Sequence, residues 1–246
     1  MRNIKLTIEY DGTHYHGWQI QQNALTIQRV LQEKIGIITE ERISLIGSGR
    51  TDAGVHALGQ VANFRTESRI SLAALQRGMN SLLPDDIAVR ETEEVDGDFH
   101  ARFSARSKLY EYRILNSPLR SAMERSFSWH VSRRLDLRKM REAGHLLVGT
   151  HDFSSFRSAQ SDNLNPVRTL MTFEIRRRMN RMICIRMRAD AFLKQMVRNI
   201  VGCLVDVGRG RLDPEGLRRI LEAKDRTKAG MAAPPQGLFL VEVEYQ

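Results

Sequence analysis

At 246 residues the chain is long enough for one large domain or two small ones, and no apolar run approaches the roughly 18 residues of a membrane-spanning helix. Its formal net charge is +9, unevenly distributed: residues 1–105 hold 11 Lys and Arg against 14 Asp and Glu, whereas residues 106–246 hold 27 against 15. Most cations of the second half are arginines, which can contact a phosphate through two hydrogen bonds. This half predicts a nucleic-acid partner, and a merely soluble cationic protein is the alternative.

Cysteine usage and the N-terminal pattern bear on the compartment and on cofactors. Cys184 and Cys203 lie inside apolar segments and indicate small buried side chains in a reducing environment. Residues 4–10 alternate apolar and polar, which is typical of a strand and not of a signal peptide. His14 and His16 form only a weak metal pair, because the loop offers no third ligand. We therefore expect a cytoplasmic protein without membrane contact, metal or cofactor.

In the first half the apolar pattern predicts alternating strands and helices. The strand at residues 4–10 is followed by a helix that begins at Thr26, whose side chain can accept a hydrogen bond from the first turn. Ser71 can cap a second helix, which ends before Pro84. Three further segments have strand patterns: residues 42–46, 60–65 and 87–95.

The second half repeats this alternation. Residues 106–115 place Tyr110 and Tyr112 on one face of a strand. Residues 169–178 and 181–188 predict a hairpin, and residues 191–207 predict a strongly apolar helix that ends at Gly208. The remaining predicted elements are a helix at 137–147, a short helix that opens at Asp213-Pro214 and a last strand at 239–245.

These patterns predict an α+β chain built from two similar αβ halves. Residues 1–105 form the half that carries the Asp52 loop, and residues 106–246 form the basic half. Each half is expected to hold an antiparallel sheet with helices on one face, and a cleft is expected between the halves.

The most informative segment is the glycine-rich loop at residues 47–57, which presents Asp52 close to Arg50. Glycine permits positive φ and the close approach of another backbone or a ligand, and the arginine favours the ionised carboxylate. The loop is not a dinucleotide fingerprint, because G-x-G-x-x-G would need glycine at position 52. The residues alone leave four roles open for Asp52: a nucleophile, a general base, a group that repels phosphate, or one partner in a structural ion pair that closes the turn.

Residues 49–57, GRTDAGVHA, resemble the active-site motif of the tRNA pseudouridine synthase A family. The likeness extends over nearly the whole chain, from residue 3 to 245, through residues 10–13 with 17–19, 99–105, 108–113, 152–156, 192–193 with 196–199, and 233–235 with 237–238. Two pairs depart from the family pattern. Lys194-Gln195 stands where an aromatic residue and a histidine are expected, and Met231-Ala232 stands where Pro-Thr is usual. These departures concern substrate detail and not the reaction.

The resemblance implies the pseudouridine synthase fold, with the two sheets joined and the active site in the cleft. It implies isomerisation of uridine to pseudouridine at positions 38, 39 and 40 of the anticodon stem-loop of tRNA, by a homodimer that needs no cofactor or metal. Asp52 is the implied nucleophile and Arg198 its ion-pair partner. Tyr110 is the implied base-stacking residue, whose hydroxyl group can assist proton removal, and Arg50 fills the gap left by the flipped base.

Several of these side chains also have a structural interpretation. Arg198 can extend along its apolar helix to solvent, and Tyr110 can pack in the core beside Tyr112. The hairpin arginines, among them Arg178 and Arg181, are the best candidates for part of the surface that binds tRNA, because folded RNA is recognised largely through phosphate and shape. Alternation divides them between both faces of the sheet, so several are simply solvated.

Two rival functions stay open at this point. A non-catalytic RNA-binding module would keep the fold but would not need Asp52, Tyr110 and Arg198 together. An aspartate-based hydrolase or phosphotransferase would need further carboxylates to hold Mg²⁺, and the loop around Asp52 offers none.

Overall fold

The protein is described here by a computed structural model, which covers residues 1–158 and 165–245. The strands are β1 (Arg2–Tyr10), β2 (Ile46–Gly47), β3 (His56–Thr66), β4 (Ile87–Val95), β5 (Ser107–Leu115), β6 (Trp129–His130), β7 (Gly149–Asp152), β8 (Val167–Arg177), β9 (Met182–Ala189) and β10 (Leu238–Glu244). The α-helices are α1 (Ile27–Thr39), α2 (Leu72–Leu82), α3 (Leu137–His145), α4 (Met196–Gly208) and α5 (Pro214–Ala223). The predicted α+β class is confirmed.

Two compact units make up the chain. Unit 1 comprises residues 1–106 and 239–246, and unit 2 comprises residues 107–238. The C-terminal strand belongs to unit 1 because β10 runs parallel to β3, with Phe239 opposite His56 and Leu240 opposite Ala57. The predicted division into consecutive halves, 1–105 and 106–246, does not anticipate this return of the chain.

In unit 1 the strand order is β4-β1-β3-β10, and β2 pairs with β3. β1 is antiparallel to both of its neighbours, and its alternate residues Ile4, Leu6 and Ile8 are completely buried, as the period of two requires. Thr26 and Ser71 cap α1 and α2, each accepting a hydrogen bond from the backbone N–H three residues later. Local capping and alternation thus position the elements that carry the Asp52 loop.

In unit 2 the strands β5-β9-β8-β7 form an antiparallel sheet, and β6 pairs in parallel with β5. Successive residues of β5 point to opposite faces, so that Tyr110 and Tyr112 share one face and Glu111 lies on the other. α4 is buried on almost every side, in agreement with its apolar sequence.

The main differences from the predicted elements have local causes. Of the predicted strand 42–46 only Ile46, the first residue of β2, pairs with another strand, because the backbone of Leu45 is hydrogen-bonded to the side chains of Gln28 and Gln32 in α1. The apolar helix predicted from residue 191 begins only at Met196, because Gln195 has a φ of 62°, which a right-handed helix cannot include. The apolar pattern does not predict the short strands β6 and β7.

Candidate active site

The backbone that presents Asp52 is held in place on both sides. Before it, the buried Thr51 places its hydroxyl oxygen 2.8 Å from that of Tyr10, and its carbonyl oxygen accepts from the N–H of Trp18 at 3.1 Å. After it, the N–H of Val55 donates to the carbonyl oxygen of Asp52 at 3.2 Å. Asp52 itself is half-buried. Its carboxylate is therefore presented from a backbone with little freedom to move.

Two glycines in the segment that follows β1 allow this close packing. A Cβ atom on Gly12 would overlap the carbonyl oxygen of Val55, and one on Gly17 would overlap that of Thr51. Gly17 also has a φ of +86°, which side chains disfavour. The glycines of residues 10–19 are thus required by backbone contact with the Asp52 loop.

The end of the loop is tied to the segment that follows β1 through His56, the first residue of β3. Its buried Nδ1 lies 3.1 Å from the backbone nitrogen of Gly12 and 3.1 Å from Oδ1 of Asp11. The imidazole stacks on Phe239 of β10, with ring centroids 4.7 Å apart. The C-terminal strand therefore also contacts the end of the loop. Arg50 lies exposed in the same loop.

Tyr110 and Arg198 both lie in unit 2. Tyr110 is only 8% exposed, and its ring meets that of Phe192 edge-on with centroids 5.0 Å apart. Arg198 is half-buried in the first turn of α4, where its Nε donates to the carbonyl oxygen of Ala233 at 2.8 Å and its own carbonyl oxygen accepts from the N–H of Ala233 at 2.9 Å. The stem of this guanidinium is therefore held against residues 231–237.

The same segment is packed closely against β5 and α4. The hydroxyl group of Tyr112 donates to the carbonyl oxygen of Pro234 at 2.7 Å, and burial raises the pKa of this phenol above its ordinary value. A Cβ atom on Gly202 would overlap the carbonyl oxygen of Met231, whose side chain is 72% exposed. One departure from the family pattern, Met231, thus contributes its backbone to the packing while its side chain faces outward.

The other departure lies at the start of α4. Lys194 is exposed, and its carbonyl oxygen accepts from the N–H of Ser158 at 2.9 Å. Gln195 supplies the left-handed backbone conformation that precedes the helix. Its carbonyl oxygen accepts from the N–H of Asn199. The backbone of this pair shapes the entry into the helix that carries Arg198.

A buried carboxylate that the sequence analysis did not single out organises several arginines of unit 2. Glu111 is 1% exposed and accepts from Arg186 Nε at 2.7 Å, from Arg113 Nε at 2.9 Å and from Arg178 Nη2 at 3.3 Å. Burial by itself would raise the pKa of this carboxyl, but the hydrogen bonds from Arg113 and Arg186 outweigh it and hold the pKa below its ordinary value. The sequence did hold a signal for this contact, because Glu111 is an acidic residue in a predicted strand and the predicted hairpin is rich in arginine.

The two hairpin arginines named from the sequence have different surroundings. Arg178 is tied to Glu111, whereas Arg181, with a φ of 60°, places Nη1 3.5 Å from the hydroxyl oxygen of Ser117. The arginines of this hairpin therefore do not form one uniform row.

The predicted site residues are distributed over both units. Asp52 and Arg50 lie in unit 1, and Tyr110, Arg198, Arg178 and Arg181 lie in unit 2. The pairing of Asp52 with Arg198 stays a prediction. Within residues 1–158 and 165–245, no three or more His, Cys, Asp or Glu side chains are grouped so that they could hold a metal ion. None of the helices in these ranges is long and apolar enough to cross a membrane.

Comparisons with known protein sequences all point to the same family. The family model described as tRNA pseudouridine synthase matches residues 6–104 and 143–246. A protein named tRNA pseudouridine synthase A from Thermoanaerobacter sp. (strain X514) is 47% identical over 245 residues, which cover 100% of both chains. A protein of the same name from Acetivibrio thermocellus is 48% identical over 100% of both chains, and tRNA pseudouridine synthase A 2 from Clostridium tetani is 46% identical over 99% of both.

Proposed function

The chain belongs to the tRNA pseudouridine synthase family, whose members are isomerases that act on tRNA, and from this premise we propose that it converts uridine to pseudouridine at positions 38, 39 and 40 of the anticodon stem-loop. Asp52 is the nucleophile in this proposal. Three adjacent target positions require docking by shape and phosphate contact more than by base identity.

The reaction is an isomerisation, with no net oxidation or reduction. The N1–C1′ bond of uridine breaks, the uracil turns, and a C5–C1′ bond forms while the proton on C5 leaves and N1 ends protonated. A covalent bond to Asp52 holds one of the two fragments while the base turns, and this bond breaks again when the product forms, as in other enzymes with a carboxylate nucleophile.

The observation that carries this proposal is the fixed backbone of the Asp52 loop. Thr51 is hydrogen-bonded to Tyr10 and Trp18, and the N–H of Val55 binds the carbonyl oxygen of Asp52. A nucleophile must be held close to its attack position, because small displacements cost large factors in rate. A structural ion pair that merely closes a turn would not need this degree of support.

The other site residues have supporting roles in the proposal. Arg198 pairs with Asp52 and keeps the carboxylate ionised away from water; its contact with Ala233, at 2.8 Å, supports a fixed position for it. Tyr110, which is 8% exposed, stacks on the uracil and helps to remove the C5 proton. Arg50, which is exposed, takes the place of the flipped base in the stack.

The remaining parts of the proposal concern partners. The net charge of +9 and the arginines of unit 2, including Arg178 and Arg181, support binding to the phosphates of tRNA. We also propose that two copies of the chain act together in the cytoplasm, each tRNA contacting both copies.

The test is tritium release from C5-labelled uridine in a tRNA transcript, with each of the three target uridines replaced in turn by cytidine. Asp52→Asn keeps the shape of the side chain and removes its nucleophilicity, so we expect no release above background and a tRNA Kd within severalfold of the wild type. Asp85→Asn, which changes an exposed carboxylate of unit 1, is the matched control. Product from Asp52→Asn, in a preparation free of wild-type enzyme, would disprove the assignment.

A further inference from the structure

An exposed cluster of two aromatic rings and a guanidinium group lies near the end of the first segment of unit 1, between β4 and residue 106. Phe103 is 76% exposed, and the imidazole of His100 lies against it with ring centroids 4.4 Å apart. The guanidinium carbon of Arg102 lies 5.5 Å from the centroid of the same phenyl ring. A single exposed apolar side chain is ordinary, but this one lies close to both an imidazole and a cation, and all three groups can stack on a flat ligand.

The turn that carries this cluster is attached firmly to the core of unit 1. Ala101 is completely buried, its N–H donates to Oδ1 of Asn63 at 2.9 Å, and its carbonyl oxygen accepts from the hydroxyl group of Tyr245 at 2.7 Å. Within the turn, the N–H of Ser104 donates to the carbonyl oxygen of His100 at 2.9 Å. The backbone on both sides of Phe103 is therefore held by hydrogen bonds.

The imidazole is also held in place by the turn itself. Nδ1 of His100 accepts from the backbone N–H of Arg102 at 3.1 Å and from that of Phe103 at 3.3 Å. These bonds set the imidazole beside the phenyl ring before any ligand arrives. A surface ordered in advance loses little conformational entropy when it binds.

We propose that Phe103, His100 and Arg102 form a stacking platform for an unpaired nucleobase of the tRNA substrate, with Arg102 also contacting the adjoining phosphate. This inference rests on the tRNA function proposed above. Every base has a flat face that stacks on an aromatic ring, and single-stranded RNA loops are recognised in this way. The guanidinium can serve both the ring and a phosphate oxygen.

A protein partner fits this surface less well. The residues that follow Phe103 in the chain, namely Ser104, Ala105 and Arg106, are small or charged and add no large apolar side chain to the turn. A stable protein interface buries about 800 Å² on each partner, which one ring cannot provide. A single base, in contrast, covers about one aromatic side chain.

The experiment compares Phe103→Ala and Phe103→Trp with a control, Ile37→Ala, which removes another exposed apolar side chain of unit 1, on α1. We expect Phe103→Ala to weaken tRNA binding and raise KM by roughly 5- to 100-fold, the range found when a stacking ring is removed, with kcat at saturation nearly unchanged. Phe103→Trp should restore binding. The wild type already contains Trp18 and Trp129, so the fluorescence of the new tryptophan is the difference between Phe103→Trp and wild type. This difference should be quenched by the anticodon stem-loop but not by an RNA duplex without unpaired bases.

Equal tRNA affinity of Phe103→Ala and Ile37→Ala would overturn the platform, as would equal quenching by the duplex. A loss of dimer in light scattering with unchanged tRNA affinity would also overturn it and would assign the ring to a contact between copies. These outcomes are separate from the activity of Asp52→Asn: if that variant is inactive and Phe103→Ala binds normally, the proposed function stands and only the platform fails.

Discussion

The hydroxyl oxygen of Tyr10 lies 2.8 Å from that of Thr51, the residue immediately before Asp52. Both side chains are buried, and burial raises the pKa of Tyr10 to about 12. The phenol therefore keeps its proton at physiological pH, and the hydrogen bond between the end of β1 and the Asp52 loop persists. This contact makes Tyr10 a positioning residue for the proposed nucleophile.

Tyr10→Phe should separate positioning from binding. Because the ring stays and only the hydroxyl group is lost, we expect kcat to fall by about 10-fold with KM nearly unchanged, since the nucleophile is less well held. The free energy of unfolding should fall by about 1 kcal/mol, because the hydroxyl group of Thr51 loses its partner. Steady-state kinetics and urea unfolding measure the two effects.

Two companion variants make this prediction specific. Thr51→Val should reproduce the loss in kcat, and the double variant should be no worse than either single one, because both remove the same hydrogen bond. Thr39→Val removes another buried hydroxyl group of unit 1, which donates to the carbonyl oxygen of Ile35 at 2.9 Å. If Tyr10→Phe and Thr39→Val lower kcat equally, the Tyr10 contact is only structural.

Tyr110→Phe tests the proposed proton transfer. The edge-on contact with Phe192 should survive, because it needs only the ring. If the hydroxyl group helps to remove the C5 proton, turnover should fall by roughly 10²-fold or more, the scale of general acid–base catalysis. Rapid-quench measurements should show the loss in the last step, after the glycosidic bond has broken. A rate within severalfold of the wild type would leave Tyr110 with a stacking or packing role alone.

Arg198→Met tests the proposed ion pair with Asp52. We expect the variant to fold and bind tRNA but to lose most activity, and Arg198→Lys should recover only part, because an ammonium group cannot make a forked contact. Without the neighbouring cation the charged form of a carboxylate is less favoured, so the residual activity should move to higher pH. The pH–rate profile measures this shift.

Arg209→Met is the control for that experiment. Arg209 follows α4, and its guanidinium carbon lies 5.9 Å from the ring centroid of Trp129. It should lower stability slightly and leave the pH–rate profile unchanged. Unchanged rate and profile in Arg198→Met would contradict the assignment of Arg198 to the active site.

Glu111→Gln should destabilise unit 2 in a pH-dependent way. The pKa of this carboxyl is held below its ordinary value of 4.5, so its contribution to stability is fully present above that value and is lost as the pH falls through the folded-state pKa. We expect a loss of about 1–3 kcal/mol at pH 7, because two short charge-assisted hydrogen bonds are weakened. Urea unfolding of wild type and variant across acid pH should show the difference shrinking.

Glu174→Gln is the matched control for the buried carboxylate. Glu174 pairs with Arg176 of the same strand, β8, and it is much more exposed than Glu111. Exposed ion pairs contribute about 0–1 kcal/mol, so this variant should cost little at any pH. Equal losses in the two variants would show that burial does not set the importance of Glu111.

Local sequence patterns were enough to predict most of the helices and strands and to indicate the family. Alternation predicted β1 and the hairpin of β8 and β9, and the capping residues Thr26 and Ser71 predicted where α1 and α2 begin. These signals depend on neighbours within about one turn or one strand, so they can be read without knowing the fold. The motif around Asp52 pointed to a family that the comparisons confirm.

Only the tertiary structure decided features that depend on residues distant in the chain. β10 pairs with β3, although most of the chain separates the two strands. The buried Glu111 of β5 finds its partners Arg178 and Arg186 in the hairpin of β8 and β9. Neither alternation nor composition indicates which strand will lie next to which, or whether a charged side chain will meet its partners. The support of the Asp52 loop by Tyr10 depends on the same non-local packing, because a hydrogen bond between residues 41 positions apart forms only when the core brings them together.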